Sequence, residues 1–294
     1  MKYTALLAAL AAILIAKQSA NAQGALTPTG SPTESQKSLQ QIYDAVLSVK
    51  TDIAALVQQA VPSVSGMATV LGGSLPSNSG FANQRVATFY IGKFEVTWDE
   101  WRTVRTWAVA NGYTDLSTAG NGTSGNHPVR NVNWYQVLKW TNAKSEMEGL
   151  APVYTVNGTA YRSGSSTPVF NETANGYRLP KQIEWEWAAR GGINSQGYFY
   201  SGSNTLSAVA WTAMNSSNST QSAGTKSSNE LGIFDMSGNV WEWCWEAQNS
   251  SDRVTYGGSY MDTDRFSIGL SNSLNFVNRD LDYPTLGFRL ARNY

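Results

Sequence analysis

The stretch Asn175-Gly176-Tyr177-Arg178-Leu179-Pro180, followed by Lys181-Gln182-Ile183-Glu184-Trp185-Glu186-Trp187-Ala188-Ala189-Arg190-Gly191-Gly192, decides the reading of the chain. A short helix runs from Lys181 to Arg190, after Pro180 and before the Gly191-Gly192 stop. Glu184 and Glu186 flank Trp185. Residues two apart on a helix face different sides, so these two carboxylates do not form an acid/base pair across one site. Downstream of Gly192 the pattern is short strands, glycine turns and loops.

Upstream the signals are equally local. Phe89, Ile91, Phe94 and Val96 suggest a strand pair bent at Gly92. Thr97 and Glu100 form a capping box for a helix over about 98–110, ended by Gly112. Asn133 caps a second helix, about 134–148, with Gly149 after it. Val153–Val156, Asn157-Gly158 and Thr159–Arg162 read as a hairpin with a type I′ turn. The fold class is α+β: a few helices, short antiparallel strands and much ordered irregular chain.

The 294 residues carry 21 basic and 21 acidic side chains, for a formal net charge of zero. With no long basic block, a nucleic-acid partner held by phosphate contacts is excluded. Charged residues make up 14% of the chain, and Gly, Trp, Tyr, Ser and Asn fill the gap. This is the composition of a loop-rich, aromatic-cored extracellular domain. One Cys rules out an intramolecular disulfide, and one His rules out any metal site needing two or three imidazoles from a single chain.

Residues 1–22 read as a signal peptide. Lys2 is the positive n-region, Ala5–Ala16 the apolar h-region, and Ala20-Asn21-Ala22 the cleavage site, so that a mature chain begins near Gln23 in a secreted or periplasmic setting. No apolar run is long enough to span a bilayer, so the protein is not an integral membrane protein. Residues 23–62 combine a linker with a helix whose start is signalled by Ser31, Pro32 and Glu34. Leu39, Ile42, Val46, Val49, Ile53, Leu56 and Ala60 then follow at heptad spacing, and Pro62 ends the run. Two readings stand side by side: homo-oligomer formation through a short coiled coil over 31–61, or an amphipathic helix lying on its own domain. Residues 63–85 read as a linker or an irregular entry strand, and 86–294 as the globular domain.

No catalytic signature stands out: the chain has no Walker loop, G-x-S-x-G, CxxC or HExxH. His127, in His127-Pro128-Val129, lacks a nucleophile to serve and reads as a structural loop residue. Cys244 lies within Trp241-Glu242-Trp243-Cys244-Trp245 and reads as a buried, inert thiol, since no cationic neighbour is at hand to depress its pKa.

Taken together, the Asn175–Gly192 stretch resembles the signature of the formylglycine-generating enzyme family, the sulfatase-modifying factors. Further segments agree in order: Phe94-Glu95-Val96-Thr97, His127-Pro128-Val129, Asn229-Glu230-Leu231-Gly232, Asp235-Met236-Ser237-Gly238-Asn239-Val240-Trp241-Glu242-Trp243, Gly257-Gly258-Ser259-Tyr260 and Gly287-Phe288-Arg289. The resemblance covers about residues 86–292 and implies a large, loop-rich fold related to C-type lectins.

The resemblance also implies a site, and this chain departs from it there. The oxidase members place two copper-binding cysteines, five residues apart, in the loop after Gly-Gly-Ser-Tyr. Here Asp262 and Ser267 stand at those positions. A carboxylate and a hydroxyl cannot replace two thiolates for Cu(I). Iron-dependent relatives use three histidines, against one here, so neither copper nor iron is expected, and no catalytic residues. One metal site implied by the resemblance keeps its residue types: calcium in the turn Asp235–Glu242, held by the side chains of Asp235 and Glu242 and the carbonyls of Gly238 and Val240. Hard oxygen ligands on a tight turn suit that ion.

Two functions compete. One is a non-catalytic binding module for a protein, peptide or glycan ligand, using the loop from Ser259 to Tyr283, with Asp262, Asp264, Arg265, Asn272 and Asn275 as ligand-facing candidates; small polar residues and rigid aromatics are what adaptable binding loops use. The alternative is an enzyme, either a formylglycine-generating oxidoreductase acting on sulfatase cysteines with remodelled ligands or a diverged enzyme on the same fold.

Overall fold

A computed structural model describes residues 62–263, 269–270 and 274–294, and, before them, residues 41, 44–49 and 52. The chain divides into two units, residues 1–62 and 63–294. Of the first unit, residues 41, 44–49 and 52 are helical and Pro62 is not, and within 44–49 Val46 and Leu47 are exposed. The signal segment and the other heptad positions, Val49 apart, lie outside the described residues.

The helices of the second unit are α1 (Trp98–Ala110), α2 (Trp134–Met147), α3 (Gln182–Ala189) and the one-turn α4 (Leu206–Val209). Its early strands are β1 (Met67–Val70), β2 (Gly73–Ser74), β3 (Arg85–Val86) and β4 (Phe89–Gly92). Next come β5 (Tyr154–Val156), β6 (Thr159–Ala160), β7 (Val169–Phe170) and β8 (Tyr177–Arg178). The last are β9 (Trp241–Ala247), β10 (Asp252–Tyr256), β11 (Leu274–Asn278), β12 (Leu286–Gly287) and β13 (Ala291–Asn293). They form two four-stranded sheets, β1-β4-β13-β8 and β11-β10-β9-β12, a three-stranded sheet β6-β5-β7, and the pair β2-β3.

Local signals account for most of this. The Thr97 side chain accepts the Glu100 N–H, starting α1 where the capping pattern puts it. At α2 the cap is reciprocal: Asn133 accepts the Gln136 N–H, and the Gln136 side chain accepts the Asn133 N–H. Asn157 and Gly158 both have positive φ, as a type I′ turn requires, between the paired β5 and β6. One expectation is corrected. β4 ends at Gly92 and no second strand follows; Phe94 turns outward and stacks on Phe234 at 5.1 Å. The segment 63–85 carries β1, which pairs antiparallel with β4 in full register and is buried along its length.

The core is aromatic. Trp101 of α1 stacks on Trp140 of α2 with ring centroids 5.4 Å apart, and Phe288 sets its edge against both. Trp185 of α3 stacks on Tyr256 of β10 at 4.8 Å. The indole N–H groups find buried acceptors: Trp134 donates to the Cys244 carbonyl, Trp140 to Trp101 and Trp243 to Val132. These bonds tie the helices to β9 and fix the frame for the turn that precedes it.

Candidate functional site

The turn from Asp235 to Glu242 is built on left-handed backbone. Asp235, Gly238 and Asn239 all have positive φ. At Gly238 a side chain is impossible, because a Cβ there would come within 2.3 Å of the Trp211 carbonyl oxygen. Glu95 holds the turn from the other side. Its carboxylate accepts the Asn239 side-chain amide at 2.6 Å and the Val240 N–H at 3.1 Å.

Glu242, the second residue of β9, is fully buried and already committed. Arg289 donates to both of its oxygens at 2.6 Å, and the Trp185 indole donates to one of them at 2.6 Å. Arg289 uses two further donors on the carbonyls of Gly92 and Phe234. Asp235 differs. One oxygen accepts the Gly224 N–H at 2.7 Å, and the other is buried with no hydrogen-bond partner. Burial pushes the Asp235 carboxyl up to about 6, against the opposing pull of the Gly224 N–H and Arg289. Glu95 is held well above the usual carboxylate range, first by burial and then by Asp235 and Glu242 beside it.

This geometry bears unequally on the expected calcium ligands. Glu242 has its charge neutralised in place by Arg289, whereas Asp235 keeps an unspent oxygen. The residues therefore fit a hard cation at Asp235 and not at Glu242. Among the described residues no group of three or more His, Cys, Asp or Glu side chains is arranged to hold a metal ion. A cation in this turn would rest on one carboxylate and on main-chain oxygens.

The loop after β10 is organised by Asp262. One of its carboxylate oxygens accepts both the main-chain N–H and the hydroxyl of Ser259 at 2.7 Å, and its carbonyl accepts the Ala213 N–H. Asp262 is thus a turn-closing residue. Asp264, Arg265, Ser267 and Asn272 lie outside the described residues. Cys244 is fully buried in β9, and burial raises its thiol pKa well above the usual value. His127 shares a hydrogen bond of 3.0 Å with the Thr220 hydroxyl. Glu184 is joined to Arg178 and Glu186 to Arg190, each in its own buried ion pair, so neither faces the other across a site.

Asn275 lies on β11, the edge strand of its sheet, and lines a cavity of about 360 Å³ with Trp241, Phe276, Val277, Leu281 and Tyr283. Leu274, Phe276, Leu281 and Tyr283 are exposed around it. The structure brings Asn275 together with aromatic groups that composition alone left unplaced. In the sequence Glu95 and Arg289 stand out only as members of motifs. Their signal was the rarity of buried charge: each charged residue in a core segment needs a partner, and these two find theirs in the turn.

The family model of the sulfatase-modifying factor enzyme 1-like domain matches residues 53–294. A chaperone protein, LppX of Paenibacillus barcinonensis, is 35% identical over 254 residues, covering 71% of this chain and 86% of that protein. A formylglycine-generating enzyme of Streptomyces coelicolor is 29% identical over 149 residues, 40% of this chain and 47% of the enzyme. Among solved structures, CarF superposes with a TM-score of 0.67 at 28% identity, over 78% of this chain and 98% of that one; Treponema denticola variable protein 1 gives 0.63 at 30% identity, over 78% and 95%. The family model spans most of the chain and these two structures share its fold, and the chain belongs to the family of sulfatase-modifying factor enzyme 1-like domains.

Proposed function

We propose that this protein is an exported, non-catalytic recognition module of its family, which binds a polypeptide partner through the surface around β11. The observation that carries the reading is the state of Asp262. At the position that the resemblance pairs with the oxidases' first cysteine, it spends its carboxylate on closing a turn with Ser259. The chain's one thiol, Cys244, is sealed in β9. Copper-dependent oxidation of a substrate cysteine needs two thiolates converging on one soft metal ion, and this chain has no second thiol to offer.

The relatives' names run in the same direction. One is a chaperone, and another, 32% identical over 101 residues, is an inactive Cα-formylglycine-generating enzyme 2 of Bos taurus. A chaperone acts by binding other chains. The exposed Leu274, Phe276, Leu281 and Tyr283, set among the amides of Asn275 and Asn278, suit contact with an apolar stretch of polypeptide. Calcium, where it binds, would be held by Asp235 with the carbonyls of Gly238 and Val240. Its contribution there is structural: positive charge beside three buried carboxylates, Glu95, Asp235 and Glu242, that have Arg289 as their close counter-charge.

The test is incubation of the mature protein with a sulfatase-type cysteine peptide, with and without copper, read by mass spectrometry. The expected result is an unchanged cysteine under both conditions. Conversion of that cysteine to the aldehyde defeats the reading. Retention on immobilised unfolded polypeptide, lost in Phe276→Asp, supports the recognition surface; undiminished retention by the variant places binding elsewhere.

A further inference from the structure

We infer that Arg253 and Arg279 form a binding site for an oxyanion, on the face of the β11-β10-β9-β12 sheet that meets Trp134 and Tyr135 at the start of α2. The register puts Arg253 opposite Val277, and the Arg279 N–H donates to the Ser251 carbonyl, which continues the same ladder. Alternation then places Arg253, Val277 and Arg279 on one face, with the two guanidinium-bearing residues as diagonal neighbours. Arg253 lies over the Trp134 ring at 4.3 Å and Arg279 over the Tyr135 ring at 5.3 Å, at the start of α2.

Among the described residues four arginines are buried: Arg178, Arg190, Arg253 and Arg289. Three of them are bonded to a buried glutamate. Arg253, 4% exposed, has no carboxylate within ion-pair distance among the described residues; its one protein acceptor is the Asp252 carbonyl at 3.5 Å, the weak limit of a hydrogen bond. The Asp252 carboxylate is turned away to the Asn249 amide. Arg279 donates to the Thr167 hydroxyl at 2.9 Å, a neutral acceptor. The Nε atoms of both arginines are buried without a partner.

Two like charges side by side, one of them buried, are unfavourable on their own, and the positive end of α2 adds to the same sign. Burial and the neighbouring Arg279 together lower the Arg253 pKa. The faces of Trp134 and Tyr135 take up part of the charge but satisfy none of the N–H donors. What the pair lacks is a bidentate acceptor of opposite charge. A carboxylate or a phosphate group supplies one, since both match the planar guanidinium fork. Arg279 is half-buried and Thr167 exposed, which leaves the solvent side of the pair open to such a group.

The test is thermal unfolding of wild type and Arg279→Gln in acetate and in phosphate, at constant ionic strength made up with chloride. Arg279 is the half-buried member, so its replacement leaves the core intact. Wild type is expected to gain melting temperature saturably with one or both oxyanions. Arg279→Gln is expected to lose that gain and, in chloride alone, to melt no lower than wild type because the repulsion is gone. The preferred probe distinguishes a carboxylate-bearing ligand from a phosphate-bearing one. Phosphate also strengthens folding by general exclusion from protein surface, so equal gains in wild type and variant overturn the site. A wild type indifferent to both probes overturns it as well. The Arg253 Nε–Hε resonance gives an independent readout: a saturable shift in wild type supports the site, and an unmoved resonance counts against it.

Discussion

Arg289 and Glu242 form a fully buried, two-pronged ion pair that joins the start of β9 to the segment between β12 and β13, with both bonds at 2.6 Å. The Trp185 indole bonds the same carboxylate, so α3 is tied in as well. Removing one partner of such a pair leaves the other charge buried and uncompensated, at a cost of about 3–5 kcal/mol. Arg289→Met is expected to lose stability on that scale in urea unfolding. The double variant Arg289→Met with Glu242→Met is expected to be more stable than the single one, because the stranded carboxylate goes with its partner. A double variant that loses the sum of two single losses refutes the coupling.

Asp235 gives the second prediction. Its unpartnered buried oxygen is the acceptor in the turn with capacity to spare. An ion that binds only the native state raises stability by mass action. A calcium chelator is expected to lower the melting temperature of wild type, and Asp235→Asn is expected to abolish the response. Glu242→Ala is a poor probe here, since it unpairs Arg289 whatever calcium does. A wild type indifferent to chelation removes calcium from the turn.

Much of the fold is legible in the sequence because it rests on short-range chemistry. Thr97 and Asn133 cap helices within three residues of themselves, and Asn157-Gly158 turns a hairpin by its own backbone preference. The signature 175–192 places α3 within a residue of its observed start. What is not legible depends on distant partners. β1 follows a turn at Ser65-Gly66, but it is a strand because β4 lies beside it. Glu95 meets the turn residues Asn239 and Val240 across 144 and 145 positions. The unpaired state of Arg253 is visible only once β10 and β11 are in register. The ligand role expected of Glu242 is what the family resemblance implies, and a motif match does not show that Arg289 holds both of its oxygens.

Lys139 and Asp115 carry a pH prediction. Lys139, nearly inaccessible, donates to Asp115 at 2.7 Å and to the Gly164 carbonyl at 2.9 Å. Burial raises the Asp115 pKa, but the Lys139 ammonium and the Gly164 N–H outweigh it, and the net shift is below its usual 3.8. A carboxylate lowered in the folded state adds stability above its unfolded pKa and loses it as pH falls through the folded value. Asp115→Asn is therefore expected to be less stable than wild type at neutral pH, with the gap closing below pH ~4. A gap that stays constant from neutral pH into acid means the pair contributes through packing and not through charge.

The helical residues 44–49 expose Val46 and Leu47. Apolar positions at heptad spacing gain burial when a second copy supplies the facing surface. Deleting residues 31–61 is expected to convert an oligomer of the mature chain into a monomer in sedimentation. A full mature chain already monomeric at micromolar concentration assigns the segment a spacer role.

Cys244 supplies the last prediction, and it bears on chemistry. The thiol is fully buried, and burial and the nearby carboxylates Glu246, Glu242 and Glu184 all raise its pKa. Thiol reagents attack the thiolate, so the native thiol is protected twice, by access and by protonation. Its modification then requires the protein to open. The chain's 11 tryptophans give an independent fluorescence measure of that opening. Labelling across a urea series is expected to accelerate with the unfolded fraction reported by fluorescence, and copper is expected to leave the rate unchanged. Rapid labelling of the native protein, or protection by copper, would show a reachable thiolate and reopen the oxidase alternative. Labelling that tracks unfolding leaves the folded chain without an exposed thiolate for copper, as a recognition module requires.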